Sequence, residues 1–175
     1  MADMTYSFFG RPSSAEIDQL VEEILLASRL DAVNEALAAE ELDLLALAAE
    51  ECARYDDVQL EGAVVNVRGD ARLLRRLLRN LLENARRHGA PPTHVKIARG
   101  VDTAIVTVWD RGPGVPPAEF EKVFRPFYRP TVAGKSTGTG LGLALVRQIA
   151  RRHGGDARCE VMEGGRSCFV VTLPA

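Results

Sequence analysis

The 175-residue sequence has no long hydrophobic run and few cysteines, and both absences limit what it can be. No stretch approaches the roughly 18 uninterrupted apolar residues of a membrane-spanning helix. The N-terminus "MADMTYSFFG" has no basic leader before an apolar run, so we expect a soluble chain, although a longer parent protein could be attached to an inner membrane. Cys52, Cys159 and Cys168 are scattered and lack metal-ligand spacing, which predicts small buried thiols in a reducing cytoplasm.

The net charge of −2 conceals a division between two parts of the chain. Residues 1–61 contain 15 acidic residues and three arginines, whereas residues 62–175 contain nine acidic and 19 basic residues. Such asymmetry is consistent with a nucleic-acid surface, a phosphate site or two segments that dock on each other. With 46% hydrophobic residues, the chain has enough apolar material for one buried domain and an appendage.

Three helices are predicted in the first half of the sequence. Residues 14–38 carry an apolar stripe at steps of three and four, formed by Ile17, Leu20, Ile24 and Ala27. This stripe suits pairing with another helix across a dimer as well as packing on its own domain. A second helix is predicted from Asp43, as its N-cap, through "LLALAAEECARY". The third begins at Asp70 and stops at Gly89, with paired leucines along one face.

The remaining segments predict a sheet and one more helix. "VQLEGAVVNVRGD" indicates a short hairpin or two strands, and "THVKIARG" and "TAIVTVWD" indicate a strand pair. Residues 112–137 carry five prolines and are predicted to be loop with at most a helical turn. A helix follows from Leu141 to His153, and a hairpin turning at "EGG" closes the chain. We therefore predict an α/β (α+β) two-layer sandwich, in which helices cover one face of a mixed, mainly antiparallel sheet.

The third helix carries two asparagines on one edge. Asn80 and Asn84 are four residues apart, and Arg87 and His88 follow one turn later. Asparagine is a poor helix former, so two in register suggest a use, such as an oxygen ligand for magnesium beside substrate phosphates. Taken alone, local hydrogen bonding by both side chains explains them better.

Two glycine-rich loops follow. In "DRGPGVP", Asp110 ends an apolar strand and can accept a hydrogen bond from a buried donor, although Asp-x-Gly is also a common turn. "GTGLG" opens a helix whose free N–H groups and dipole favour phosphate. Its spacing does not match a dinucleotide-binding fingerprint, and no Gly-Lys-Ser/Thr makes it a P-loop.

The order and spacing of these features together resemble the N, G1, F and G2 boxes of the catalytic, ATP-binding domain of bacterial sensor histidine kinases, a Bergerat-type domain. "NLLENARRH" is similar to the N box, "DRGPGVP" to the G1 box, "VFRPFYR" to the F box and "GTGLGLALVRQIARRHGG" to the G2 box. The resemblance covers residues 43–175. It implies binding of ATP and Mg²⁺, and phosphoryl transfer in two-component signalling, with residues 115–137 as an ATP lid.

The resemblance also implies residue roles. Asn84 binds the metal with support from Asn80, Arg87 and His88 approach the phosphates, and Asp110 accepts the adenine amino group. Phe124 and Phe127 anchor the lid. The implied catalytic residues are Asn80, Asn84, Arg87 and Arg129. The implied nucleotide-binding residues are Asn80, Asn84, Arg87, His88, Asp110, Gly112, Gly114, Phe127, Arg129, Lys135, Gly138, Thr139, Gly140, Leu141, Gly142 and Thr172.

The chain departs from the family pattern in its histidines. His88, His94 and His153 do not lie in a box resembling "HELRTPL", the phosphoacceptor motif of a dimerisation hairpin. Residues 14–42 resemble the second helix of that hairpin with its linker, whereas residues 1–13 match nothing and are left unplaced or non-native. The resemblance thus implies a fragment that is unable to phosphorylate its own chain on the usual histidine. Its implied partners are the dimerisation domain of a homodimeric kinase and a response regulator.

Three other interpretations remain open from the sequence. A stand-alone serine kinase of the anti-sigma-factor type would keep the fold, as would a gyrase- or heat-shock-type ATPase with Glu83 as its only candidate base. A third possibility is a relative without catalytic activity that binds nucleic acid or another protein. Seven arginines suggest nucleic-acid binding, but we expect a solvated helix face and a phosphate site to explain them. These are Arg68, Arg72, Arg75, Arg76, Arg79, Arg86 and Arg87. We expect neither nucleic-acid nor membrane contact by this fragment.

Overall fold

The computed structural model describes residues 37–129, 139–162 and 165–175, together with eight positions between 14 and 28. Those eight positions are helical, in agreement with the helix predicted from residue 14. Residues 37–39 have no regular structure, so this helix does not reach the predicted residue 38. Residues 1–13, Ala27, Lys135 and Gly138 lie outside the described part of the chain.

Three helices belong to the folded domain: α1 (Leu44–Cys52), α2 (Ala71–His88) and α3 (Gly142–Arg152). Asp43 caps α1, because its Oδ1 accepts hydrogen bonds from the N–H groups of Leu45 and Ala46 at 2.9 and 3.1 Å. Asp70 caps α2 in the same way. The helix α1 is shorter than predicted, because the chain turns away after Cys52 and residues 53–55 are not helical.

The strands of the described residues form two sheets. The strands are β1 (Glu40–Asp43), β2 (Val58–Gly62), β3 (Asn66–Gly69), β4 (Thr93–Arg99), β5 (Thr103–Trp109), β6 (Asp156–Val161) and β7 (Ser167–Pro174). A five-stranded sheet has the order β2-β4-β5-β7-β6, in which β2 is parallel to β4 and the other neighbours are antiparallel. This confirms the predicted mixed, mainly antiparallel sheet.

The small second sheet decides between the two alternatives predicted for residues 58–70. The segments β2 and β3 are two strands but not a hairpin, because β2 pairs with β4 whereas β3 pairs with β1. Strand β1 was not predicted, since "EELD" is short and acidic and shows no apolar alternation. The hairpin at the C-terminus is confirmed, with Met162 donating its N–H to the Arg166 carbonyl at 2.8 Å.

The core lies between the helices and one face of the large sheet. Alternate residues of the strands face inwards, as the two-residue period of a strand requires, and they meet the leucine face of α2. Leu74, Leu77 and Leu81 are at most 1% exposed, whereas Leu73 is only partly buried. Truncating a fully buried leucine of this kind to alanine costs about 2–5 kcal/mol.

The three cysteines are buried, and their burial determines the reactivity of their thiols. Cys52, Cys159 and Cys168 are buried free thiols, as predicted. Desolvation raises the pKa of Cys52 to about 11 and that of Cys159 to about 12, so both remain protonated and unreactive. In the part of the chain that the structure describes, no helix is long and apolar enough to cross a bilayer.

Candidate functional site

One end of the site is built around the carboxylate of Asp110, directly after β5. Its Oδ1 accepts hydrogen bonds from the backbone N–H groups of Gly112 at 2.6 Å and Ala90 at 3.3 Å. Because Ala90 follows α2, the carboxylate joins the end of that helix to the first glycine loop. No described residue donates a hydrogen bond to Oδ2, which can accept one from a ligand such as an exocyclic amine.

Two glycines make room for this carboxylate. A Cβ on Gly89 would collide with the carboxyl group of Asp110, and one on Gly112 would lie 2.7 Å from Asp110 Oδ1. The backbone of Gly89 is extended, with φ of −94°. Glycine is therefore needed here because a side chain would not fit, and not because the backbone is left-handed. The sequence indicated Gly89 only as a helix stop. Its place next to the acid emerges only from the fold.

Ser167 is a site residue that sequence reasoning missed. Its Oγ accepts a hydrogen bond from the Val115 N–H at 2.9 Å, which holds the first glycine loop against the start of β7. Gly114 has φ of +71°, and a Cβ there would lie 2.7 Å from Ser167 Oγ. A small hydroxyl residue following "EGGR" and opening the last strand is the signal that could have identified it.

Thr172 is not part of this arrangement, which corrects its predicted role at the adenine. The register of β5 and β7 pairs Thr172 with Ile105, five residues before Asp110 along the strand. At about 3.4 Å per residue, this separates the two positions by about 17 Å along the sheet. The Thr172 hydroxyl instead donates to the Asp156 carbonyl at 3.4 Å.

The second glycine loop leads into α3 at the opposite end of the site. Asn80, only 8% exposed, donates from Nδ2 to the Gly142 carbonyl at 3.1 Å and so joins the middle of α2 to the start of α3. Within the described ranges, no side chain caps this start. Its first N–H groups and the helix dipole are therefore available to an anion such as a phosphate.

Gly140 and Thr139 shape the approach to α3. Gly140 has φ of +74°, and a Cβ there would lie 2.9 Å from the backbone of Phe127. Thr139 Oγ1 accepts a hydrogen bond from the Leu141 N–H at 3.2 Å, and Leu141 is itself buried. Gly142 has more room, because its Cβ would be 4.0 Å from Asn80. The turn thus requires glycine at 140 more strictly than at 142.

Asn84 has the chemistry of a ligand for a hard cation. It lies one turn after Asn80 on α2 and is partly exposed, and its side-chain amide makes no hydrogen bond to another described residue. Asn80, by contrast, is already engaged with Gly142. An amide oxygen one helical turn from the Asn80–Gly142 contact suits Mg²⁺, which takes one or two protein oxygens and completes its shell with water and phosphate.

The charged residues that follow Asn84 belong to one ion-pair cluster. Glu83 accepts hydrogen bonds from Tyr55 at 2.9 Å and Arg86 at 2.8 Å, and Arg87 Nε lies 3.6 Å from its carboxylate. Desolvation and the bond to Glu83 raise the pKa of Tyr55 to about 12. Glu83 is thus occupied in holding Arg86 and Arg87, an arrangement that does not favour its use as a hydrolytic base. His88 is exposed at the helix end, where partial desolvation and the charge of Arg87 lower its pKa.

The segment predicted to form the lid begins with two short 3-10 turns, Pro117–Glu119 and Lys122–Phe124. Phe124 is buried, with its ring edge-to-face on Phe169 at 6.2 Å, and so attaches this segment to the core. Phe127 does not, because its side chain is 61% exposed and its backbone has φ of 62°. Phe127 is held by its backbone, whose N–H donates to the Gly140 carbonyl at 3.0 Å. Arg129 is exposed at the end of the described lid.

Most arginines of α2 are paired with acids. Glu51 of α1 is fully buried and accepts hydrogen bonds from Arg79 Nε and Nη2 at 3.1–3.3 Å, with Arg54 and Arg75 also within ion-pair distance. Arg75 also pairs with Glu50. Charge that is neutralised in this way is a poor basis for a nucleic-acid surface. It fixes α1 against the helix that carries the two asparagines.

Comparison with known proteins agrees with this geometry. Residues 69–175 match the family described as histidine kinase-, DNA gyrase B-, and HSP90-like ATPase. The chain is 36% identical over 170 residues to the sensor histidine kinase MtrB of Mycolicibacterium paratuberculosis, and 32% identical over 163 residues to the histidine-protein kinase AfsQ2 of Streptomyces coelicolor. Each match covers 90% of this chain and 30% of the relative.

A solved structure extends the comparison to the fold. The ATP-binding domain of PrrB from Mycobacterium tuberculosis superposes with a TM-score of 0.64 and 31% identity, covering 78% of this chain and 97% of that one. The chain therefore belongs to the family of histidine kinase-, DNA gyrase B- and HSP90-like ATPases. Within that family it corresponds to the catalytic ATP-binding domain of a sensor histidine kinase, and its relatives do not favour the serine-kinase alternative. It spans about a third of the length of these two relatives.

Proposed function

We propose that this domain binds Mg²⁺-ATP and presents the γ-phosphate to a histidine on a dimerisation domain, the first step of two-component signal transduction. One observation carries the proposal. Near the end of α2 lies the Asp110 carboxylate, whose Oδ2 has no hydrogen bond from a described residue, and the start of α3, which no described side chain caps, meets the same helix at Asn80. The nine residue-to-residue steps from Asn80 to Gly89 span about 14 Å along the helix axis, a distance suited to an extended nucleoside triphosphate.

The residues divide the work of binding between base and phosphates. Asp110 Oδ2 accepts from the adenine amino group, while Gly112 and Gly114 admit the flat ring to the loop backbone. The N–H groups at the start of α3 and the guanidinium of Arg87 face the phosphates, with Asn84 holding the metal ion. When it is bound, Mg²⁺ neutralises charge on the phosphate oxygens.

The remaining predicted residues complete the phosphate end. Asn80 supports the metal and phosphate site through its tie to Gly142, and His88 and Arg129 provide further donors beside Arg87. Lys135 and Gly138 belong to the same lid, outside the described residues. Phosphoryl transfer needs little covalent chemistry from such a protein, because in-line positioning and charge neutralisation account for most of the rate.

The phosphate acceptor lies on another domain. Residues 14–42 correspond to the second helix of a dimerisation hairpin with its linker, and residues 43–175 to the catalytic domain. The histidines of this chain do not lie in an acceptor motif, so we expect no autophosphorylation of the chain alone. The partners are the acceptor domain of a homodimeric kinase and then the aspartate of a response regulator, with this domain in the cytoplasm.

The direct test is calorimetric titration of the non-hydrolysable analogue AMP-PNP, with and without Mg²⁺. Asp110→Asn should abolish binding with and without Mg²⁺, because the amide has one oxygen for two acceptor roles and its NH2 group would face either the loop N–H groups or the adenine amine. Asn84→Ala should remove mainly the Mg²⁺-dependent part. Asp102→Asn and Asn66→Ala, at exposed positions, are the matched controls and should bind as the wild type does. No binding by folded wild-type protein at millimolar nucleotide would overturn the proposal.

Transfer is tested with a separately supplied acceptor domain and radiolabelled ATP. Because tethering is lost, transfer between the separate domains should be slow. The label should be acid-labile and alkali-stable, as phosphohistidine is. An acid-stable label would indicate a hydroxyl acceptor and favour the serine-kinase interpretation instead.

A further inference from the structure

Arg147 of α3 lies where the lid, the helix after it and the sheet meet. Its side chain is only 15% exposed, although the residue is charged. Nη1 and Nη2 donate to the two carboxylate oxygens of Glu121 at 2.8 and 3.4 Å, and Nε donates to Asp156 Oδ1 at 3.1 Å. The guanidinium carbon also lies 4.7 Å from the centre of the Phe124 ring. One side chain thus contacts both the lid and the start of β6.

These contacts use the particular shape of arginine. The planar guanidinium can pair with one carboxylate through two nitrogens, donate to another through the third and stack on an aromatic face at once. Hydrogen bonding and the charge of Arg147 lower the pKa of Glu121. Desolvation raises the pKa of Asp156, but hydrogen bonds from Arg151, the Ala157 N–H and Arg147 outweigh it, so this pKa also lies below its usual value.

The contacts of Arg147 with Glu121 and Phe124 connect the lid to the helix at the phosphate end of the site. Glu121 and Phe124 lie in the described half of the lid, between the first glycine loop and Phe127, whose N–H is bound to the Gly140 carbonyl. Both attachments lead to α3, the first through Arg147 and the second through the residues just before Gly142. The lid base is therefore fixed to the same helix whose start faces the phosphates.

We propose that Arg147 is a positioning residue that sets the lid base, through Glu121 and Phe124, relative to the phosphate-binding start of α3. This inference rests on the proposed nucleotide function. It implies that Arg147 contributes to the difference in affinity between nucleoside triphosphate and diphosphate without contacting either nucleotide. The adenine end is built from other elements, so disturbing Arg147 weakens the phosphate contacts of the lid and leaves the Asp110 contact in place.

The test compares binding of Mg²⁺-AMP-PNP and Mg²⁺-ADP by calorimetry. Arg147→Gln should weaken binding of the triphosphate analogue about fivefold, with a change for ADP of less than about twofold. Glu121→Gln, at an exposed position, should act in the same direction and keeps the test valid if the first variant folds poorly. Their double variant should lose no more than Arg147→Gln alone, because both changes break one contact.

Arg151→Gln is the matched control. Arg151 also lies on α3 and pairs with Asp156 at 2.9 Å, but its carboxylate partner is not on the lid. It should leave the ratio of the two affinities unchanged. An unchanged ratio in both Arg147→Gln and Glu121→Gln, or an equal loss in Arg151→Gln, would overturn the inference while leaving the nucleotide site intact. Wild-type protein that binds neither nucleotide would overturn the proposed function as well.

Discussion

The two ends of the nucleotide site are built in different ways. At the proposed adenine end, Asp110 and Ser167 are short side chains that accept hydrogen bonds from backbone N–H groups, and glycines provide the space that they occupy. At the lid end, the described contacts run through the long side chain of Arg147 to the exposed Glu121. The adenine end is thus preorganised, whereas the lid end depends on ion pairs that salt and small movements can weaken.

The two lid phenylalanines show the same difference within one segment. Phe124 is 6% exposed and packs on Phe169, whereas Phe127, three residues later, is 61% exposed and held by its backbone. The contact of this segment with the core is therefore limited at Phe127, although the partly buried Tyr128 after it packs against the core again. A lid that must admit and release nucleotide needs such a limit, because a fully buried segment opens only at the cost of core contacts.

The largest expected effect follows from this limit. Phe124→Ala should lower the free energy of unfolding by about 3–5 kcal/mol, because it empties a buried ring site and removes the contact with Phe169. Phe127→Ala should lower it by less than about 0.5 kcal/mol, because the ring is largely in water. Urea unfolding of both variants measures the difference. Similar losses in the two would show that Phe127 packs against the domain in solution.

A smaller difference is expected between substitutions of Ser167 and Thr172, which we compare by their effect on ADP binding. Ser167→Ala should cost about 1 kcal/mol of stability and weaken ADP binding about threefold, because the Val115 N–H loses its acceptor and the first glycine loop loosens. Thr172→Ala should leave ADP affinity unchanged, since its hydroxyl faces Asp156 at the far end of the strand. Calorimetry with ADP measures both. Weaker binding only in Thr172→Ala would restore the predicted role of that residue.

Strong local patterns made much of the fold predictable. The leucine pairs of α2, its cap at Asp70 and its stop at Gly89 are all present, and so is the helix that follows the second glycine loop. The alternation in β4 and β5 predicted a strand pair that the structure confirms. In each case residues close in the sequence determine the element, so period and capping suffice.

The errors concern contacts between distant parts of the chain. Ser167 and Thr172 lie on the same strand, and only the register of β7 with β5 decides which reaches the first glycine loop. The role of Gly89 depends on Asp110, 21 residues later, folding back onto it. The exposure of Phe127 likewise follows from its left-handed backbone beside Gly140. No local pattern contains this information.

The smallest effect concerns the ion-pair cluster behind Asn84. Desolvation acts to raise the pKa of Glu83, but hydrogen bonds from Arg86 and Tyr55 and the charges of Arg86 and Arg87 outweigh it, so the folded-state pKa lies below the ordinary 4.5. The carboxylate therefore stabilises the fold above about pH 4.5, and this contribution is lost as the pH falls through the folded-state value.

Glu83→Gln tests this contribution. Because the cluster is partly exposed, the variant should be less stable than the wild type at pH 7 by only a few tenths of a kcal/mol. The difference should disappear as the pH is lowered well below 4.5, where the wild-type side chain is also neutral. Thermal unfolding across this range measures it, with Glu61→Gln, at an exposed residue of β2, as the control. A difference that persists in acid would mean that Glu83 acts through packing and not through its charge, and that its ion pair with Arg87 contributes little to stability.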